Sequence, residues 1–170
     1  VQWSDGDKNP SRILSCDKNQ TLEAQFKHVE KSELASKLRI RRFGSQMKAK
    51  DPMHWIEIIN QSTEAIDLNG IILYDSPNGL VDTLFKASYA EMIAPLSSVI
   101  FVSRSHTSDV GDILHLPEGT KIYPLDFPIG FSPKHSFFLG DNKNRLVDSM
   151  IVDFPNSLFS HGKHFVCFFD

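Results

Sequence analysis

Residues 54–75, HWIEIINQSTEAIDLNGIILYD, decide the fold. The first half of this stretch places β-branched and aromatic side chains on both faces of an extended chain, with Glu57 as its one charge. Such a segment is typical of a central strand that is covered on both sides. A polar turn follows, and Asn69-Gly70 then interrupts a second apolar run. We therefore predict a pair of strands, the second of them kinked where glycine permits a positive φ.

Short apolar segments separated by turn residues recur through the rest of the chain. Residues 99–102 are continuously apolar, which predicts another strand buried on both faces. Residues 135–147 predict a hairpin around a polar turn at 141–144. The other segments predicted to be extended are 36–43, 113–116, 121–125, 148–152 and 165–169. Short strands at about ten-residue spacing, with few helix signals, indicate an all-β sandwich.

The composition limits the kinds of partner. The chain has 170 residues, 41% of them hydrophobic, and a formal net charge of −3. Nucleic acids and anionic membranes attract proteins with a net basic surface, so we expect neither as the main partner. No run of about 18 apolar residues occurs, and we predict no membrane span.

The polar N-terminal part differs from the remainder of the sequence. We predict an N-terminal extension at residues 1–35 and a sandwich domain at residues 36–170. Within the extension, residues 11–16 and 21–29 fit a hairpin, although the second run also fits a short helix. Residues 31–35 favour a helix.

The two cysteines, Cys16 and Cys167, stand near opposite ends of the chain. One interpretation is a pair of free thiols in a core. The other is a disulfide that ties the N-terminal segment to the last strand, which requires an oxidising compartment. The sequence leaves both interpretations open.

Three stretches resemble one known family. Residues 54–75 carry Trp-Ile-Glu, then Asn, a polar turn, Asp-Leu-x-Gly and a strand that ends in Asp. Residues 94–103 carry Pro95-Leu96 before an apolar strand, and residues 131–152 carry the hairpin. In this order they resemble the lamin tail domain, an immunoglobulin-like β-sandwich of nuclear lamins and bacterial envelope proteins.

The resemblance implies a non-catalytic binding or scaffolding module of a larger protein with a protein or polysaccharide partner. It also implies an extracytoplasmic location: periplasmic, cell-surface or secreted. No catalytic or cofactor-binding residue belongs to the family motif, so none is transferred to this chain. We expect Trp55 to be the large buried anchor of the sandwich core. Asp67 and Asn69 are expected to bond to their own backbone in a turn.

The one basic cluster lies on the strand predicted at residues 36–43. Apolar residues alternate there with Lys37, Arg39 and Arg41, and Arg42 follows. This pattern indicates a half-buried strand with a charged outer face. One interpretation is that the charges protect a sheet edge from pairing with another chain. The other is a partner-binding patch, with an anionic ligand as one possibility.

A carbohydrate-binding module attached to a hydrolase is the alternative function. Such a module needs exposed aromatic side chains on one face, and the candidates are Trp3, Tyr74, Tyr89 and Tyr123. A small enzyme with its site in the loops at 104–135 is disfavoured, because no nucleophile elbow or phosphate loop is present. We therefore predict that the chain is not an enzyme.

Two patterns hint at metal binding and then fail. His161, His164 and Cys167 are spaced three apart, but the apolar run around them indicates a strand, where His164 and Cys167 face opposite ways. Asp5 and Asp7 begin a calcium-like loop, but Pro10 occupies the position of the turn glycine. We predict no metal and no cofactor.

Overall fold

The computed structural model describes residues 2–4, 6, 21, 23–25, 29–46, 53–76, 82–87, 90–108, 110–125, 129, 134–153 and 164–168. Its contacts divide the chain into two units, residues 1–30 and residues 31–170. In the first unit, strand β1 (Gln2–Trp3) pairs antiparallel with β2 (Ala24–Gln25). Residues 11–16, the predicted partner of this second segment, lie outside the described residues.

The second unit contains two main sheets. Its strands are β3 (Leu38–Gln46), β4 (Met53–Asn60), β5 (Ile66–Asp67), β6 (Ile72–Asp75), β7 (Asp82–Lys86), β8 (Met92–Ile93), β9 (Ser98–Val102), β10 (Lys121–Pro124), β11 (Lys134–Gly140), β12 (Leu146–Asp153) and β13 (His164–Phe168). Over the described residues, one sheet has the order β10-β9-β4-β3-β13 and the other the order β12-β11-β6-β7. Neighbouring strands are antiparallel in both sheets except β9 and β10, which are parallel.

A hydrophobic core lies between these sheets and confirms the predicted all-β sandwich. Phe43 on β3 meets Phe137 on β11 with ring centroids 4.8 Å apart. Phe85 on β7 meets Phe101 on β9 at 4.5 Å. Each contact joins one sheet to the other, and all four rings belong to the same buried cluster. Sheet-on-sheet packing of this kind stabilises the fold through apolar burial.

The two strands predicted from residues 54–75 form, but they do not pair with each other. β4 pairs with β3 and β9, whereas β6 pairs with β7 and β11. The stretch therefore crosses from one sheet to the other. Gly70 has a φ of +78°, as the predicted kink requires. The Asn69 N–H donates to Asp67 Oδ1 at 2.8 Å, which confirms the turn role of Asp67.

Trp55 is buried, but the prediction that it anchors the sandwich core is wrong. Its neighbour Ile56 belongs to that core, and alternate residues of a strand face opposite ways. Trp55 instead belongs to a second apolar cluster on the other face of the sheet, with Met53, Ile100, Val102 and Val110. The sheet therefore separates two apolar layers.

A short helix, α1 (Val110–Leu114), covers this second layer, so the extended structure predicted at 113–116 is wrong. Val110 and Leu114 are four residues apart and fall on one helical face, which contacts the cluster. In the described residues, no helix has the length and apolar character needed to span a bilayer.

Gly44 makes room for the indole of Trp55. The two residues are register partners on β3 and β4. A Cβ atom at Gly44 would lie 2.3 Å from Cε2 of Trp55, far inside contact distance. The absence of a side chain at Gly44 thus allows the indole to lie across β3.

The segment before β3 is tied to the hairpin turn. Residues 33–37 form turns rather than the predicted helix. The Ser32 hydroxyl donates to Asp141 Oδ2 at 2.8 Å, and the N–H groups of Lys143 and Arg145 donate to Asp141 Oδ1. Burial alone would raise the pKa of Asp141, but these bonds lower it to about 2. The ionised carboxylate therefore organises the predicted turn.

Candidate functional site

Strand β3 carries Arg39, Arg41 and Arg42 of the basic cluster, and Lys37 directly precedes it. Among the described residues, it pairs with β4 along its length and with β13 over residues 42–46 only. Edge protection therefore cannot explain the charge of Arg42, but for Lys37, Arg39 and Arg41, beside which no second strand is described, it stays a prediction. The sequence did not reveal the second neighbour, because β13 comes more than a hundred residues later in the chain.

Arg41 and Arg42 converge on one buried carboxylate. The β3–β4 register shifts between Ile40 and Arg42, which is the signature of a bulge. Arg41 Nη1 lies 3.4 Å from Glu57 Oε1, and Arg42 Nε donates to Glu57 Oε2. The Glu57 side chain is only 2% exposed, so its charge needs these two partners. Arg42 also stacks over Trp55 at 5.4 Å from the ring centroid.

The other two cations of the cluster also have acidic partners. Lys37 Nζ lies 3.1 Å from Glu64 Oε2, and Arg39 Nε lies 4.0 Å from Asp148 Oδ2. The side chains of Lys37 and Arg39 remain 41% and 38% exposed. The face of β3 thus presents cations and carboxylates side by side.

A second set of polar residues is buried at the end of the sandwich where β4 and β11 begin and β6 ends. His135 on β11 places Nδ1 at 3.0 and 2.9 Å from the two carboxylate oxygens of Asp75 on β6. Both side chains are 2% exposed. This His–Asp pair joins two adjacent strands of one sheet, and Phe137 stacks on its imidazole at 5.4 Å.

His54, on the opposite sheet, is held as a neutral imidazole. Neither of its ring nitrogens has a hydrogen-bond partner among the described residues. Its ring is nearly parallel to that of Phe43, with centroids 6.4 Å apart. Burial, followed by the proximity of His135 and His106, lowers the pKa of His54 from 6.5 to about 4.

Two serines complete this end, which we call the histidine end: Ser45, His54, Asp75, Ser103, His106 and His135. The Ser103 hydroxyl accepts the His54 backbone N–H at 3.0 Å and donates to its carbonyl at 3.2 Å. Ser45 is the register partner of His54, and its buried hydroxyl has no partner among the described residues. Among all the residues that the structure describes, no group of three or more His, Cys, Asp or Glu side chains is arranged to hold a metal ion.

The sequence did not reveal the histidine end, because its residues come from six separate positions between 45 and 135. One signal was present: His54 and Asp75 are the two ends of the stretch that decides the fold. They lie in opposite sheets, and His135 contacts Asp75 and influences His54.

The candidate aromatic residues of a carbohydrate site are not all exposed. Tyr123 is partly buried and packs on Phe101 at 5.5 Å between centroids. Tyr74 is half-buried on the outer face of the four-stranded sheet, where Phe138 is its register partner. Tyr89 and the side chain of Trp3 lie outside the described part.

The predicted cysteine and metal motifs also fall on residues that the structure does not describe. These are Cys16, the side chains of His164 and Cys167, His161, and the ligand positions of the calcium-like loop. The disulfide and free-thiol interpretations therefore both stand as predictions.

Comparison with known proteins assigns no family to this chain. No protein-family model matches it, and neither does any curated protein. The lamin tail resemblance accordingly rests on its three sequence stretches.

Proposed function

We propose that this chain is a non-catalytic binding or scaffolding module of the lamin tail type, within a larger envelope-associated or secreted protein. The three resembling stretches support this proposal, because they supply β4 to β6, β9, and the β11–β12 hairpin of a two-sheet sandwich. Lamin tail domains are expected to use such sandwiches to present a binding surface.

The face of β3 carries the proposal. Its exposed cations Lys37, Arg39 and Arg41 each lie within 4.0 Å of a carboxylate. A polyanion approaching this face would meet those carboxylates as well, which weakens its attraction. A protein surface with both signs of charge can exchange partners with such exposed ion pairs at little cost. The partner favoured by this geometry is therefore a protein.

A site-specific crosslink tests this proposal. A photo-crosslinking amino acid would replace Arg41 in the full-length protein in its own cells, with the same replacement at exposed Lys86 on β7 as the control. We expect a discrete protein adduct from position 41 and none from position 86. Adducts of equal yield at both positions, or none at either, would refute the β3 face as the binding surface.

A carbohydrate-binding module is the second candidate, and one observation favours it. Tyr74 and Phe138 are neighbouring half-buried aromatic residues on the outer face of the four-stranded sheet. Adjacent aromatic rings on a sheet can stack against sugar rings. A glycan array with the wild-type chain and Tyr74→Ala tests this candidate. Glycan binding that is lost in the variant would favour carbohydrate over protein.

A further inference from the structure

The turn that leads into β9 contains a strained leucine. The Ser97 N–H donates to the Ala94 carbonyl at 3.3 Å, which closes a four-residue turn. Pro95 occupies the second position and Leu96 the third, where φ is +53°. Turns of this pattern normally have glycine or asparagine at that third position, because a larger side chain is strained there.

Burial does not compensate for this strain. The Leu96 side chain is 70% exposed, so it gains little from packing in this chain. Met92, four residues earlier, is also 46% exposed, and Ala94 and Pro95 between them are exposed as well. We call these four exposed residues, which lie on β8 or between β8 and β9, the apolar tip; Ala94 is bonded to Asn60, the last residue of β4.

A rigid network holds Leu96 in place. Asn60 is fully buried, and its side-chain amide donates to the carbonyls of Ile93 and Ala94 and to that of Glu64 in the neighbouring turn. The Leu96 N–H donates to the Ser62 carbonyl of the same turn at 3.2 Å. Strained residues persist when surrounding contacts fix them in this way, and they concentrate at functional positions.

We propose that Leu96 is an anchor residue that inserts into an apolar pocket of a partner protein. The proposal rests on the binding role proposed above and names a contact point for it. A fixed, exposed leucine loses little conformational freedom on binding, which favours association. Interfaces are typically built from such an apolar centre inside a polar rim.

The charges around the tip favour a protein over a lipid surface. Glu64 pairs with Lys37 at 3.1 Å, and Glu91, just before Met92, pairs with Lys121. Each ion pair contributes one charge of each sign, so this rim offers no net attraction to anionic headgroups. A protein pocket with a mixed polar border fits it better.

The strain itself can be tested without the partner. Leu96→Asn supplies a residue that tolerates positive φ and should raise the melting temperature by about 2–4 °C. Ile151→Thr is the matched control, because Ile151 is equally exposed, at 72%, but lies in the regular strand β12. A fall in melting temperature for Leu96→Asn would show that Leu96 supports the fold and would overturn the proposal.

The binding role is tested by crosslinking from the neighbouring turn. A photo-crosslinking amino acid at exposed Thr63, in the full-length protein in its own cells, should yield a protein adduct. We expect Leu96→Asn to reduce that adduct at least about tenfold, Ile151→Thr to leave it unchanged, and Leu96→Met to retain it.

Three results would overturn the proposal: no adduct from position 63, an adduct that survives Leu96→Asn, or Leu96-dependent binding to phosphatidylcholine vesicles, which would assign the tip to lipid. An adduct from position 41 with none from position 63 would refute the role of Leu96 alone. Failure at both positions would refute the proposed binding function as well.

Discussion

Acidification should destabilise the folded protein through His54. Burial, followed by the proximity of His135 and His106, lowers its pKa from 6.5 to about 4. In the unfolded chain the same imidazole takes up a proton below about pH 6.5. The unfolded state therefore binds more protons between the two values, and the free energy of unfolding falls as the pH drops through that window.

The difference between 6.5 and about 4 sets the magnitude of this effect. Each unit of pKa difference corresponds to about 1.4 kcal/mol, so the full loss is about 3 kcal/mol below the folded-state pKa. Most of it, about 2.5 kcal/mol, should already be lost near pH 4.5.

His54→Phe removes the titrating group and keeps an aromatic ring beside Phe43. It breaks no described side-chain hydrogen bond, since neither ring nitrogen of His54 has a partner among the described residues. Urea denaturation at about pH 7.5 and about pH 4.5 measures the free energy of unfolding of both proteins. We expect the variant to lose about 2.5 kcal/mol less than the wild type on acidification.

His115→Asn is the control for this experiment. His115 is exposed and has a φ of +49°, a conformation that asparagine tolerates. The control should retain the acid sensitivity of the wild type. If His54→Phe and the wild type lose the same free energy between the two pH values, the buried neutral state of His54 is refuted.

Two further predictions concern the outer face of β4, and urea midpoints check both. Gly44→Ala should cost about 1–3 kcal/mol, because the added Cβ would collide with Trp55. Gly111→Ala in α1 is the control and should be neutral or stabilising, because the added Cβ would lie 3.9 Å from the side chain of Ile122. Equal stability of the two variants would contradict the packing of Trp55 over Gly44. Glu57→Gln should cost about 1.5–3 kcal/mol, because it removes the buried charge that pairs with two partly exposed arginines. Lys134→Gln is the control, because Lys134 is 68% exposed in its ion pair with Asp153, and it should cost less than about 1 kcal/mol. A similar cost for Glu57→Gln and Lys134→Gln would argue against a buried charge site at Glu57.

The fold class was predictable because local patterns specify it. The apolar runs of β4 and β9 and the turn at 141–144 identify strands and a hairpin without any knowledge of their partners. Strand pairing was not predictable, since β4 pairs with β9, which lies about forty residues later in the chain. The location of Trp55 was equally hidden, because alternation cannot tell which of two apolar faces meets the second sheet.

The candidate sites were predicted less well, for a similar reason. The basic side chains of β3 were evident from the sequence, but their partners Glu57, Glu64 and Asp148 come from three different segments. The bulge at Arg41 breaks the strict alternation that the sequence suggested. In the sequence Leu96 appeared only as a residue before an apolar strand, because its exposure and φ are properties of the folded chain.

The fit of Trp55 over Gly44 also bears on how β4 can align correctly during folding. A strand with one apolar and one polar face resists a one-residue slip, because the slip would bury its polar side chains. β4 has apolar side chains on both faces, so only its few polar residues, Glu57 among them, provide that safeguard. A slipped β4 would set the indole opposite a residue with a side chain. The missing Cβ of Gly44 thus favours the native alignment of β4 over slipped ones. A larger residue at position 44 removes this preference, and misaligned, aggregation-prone chains should then accumulate.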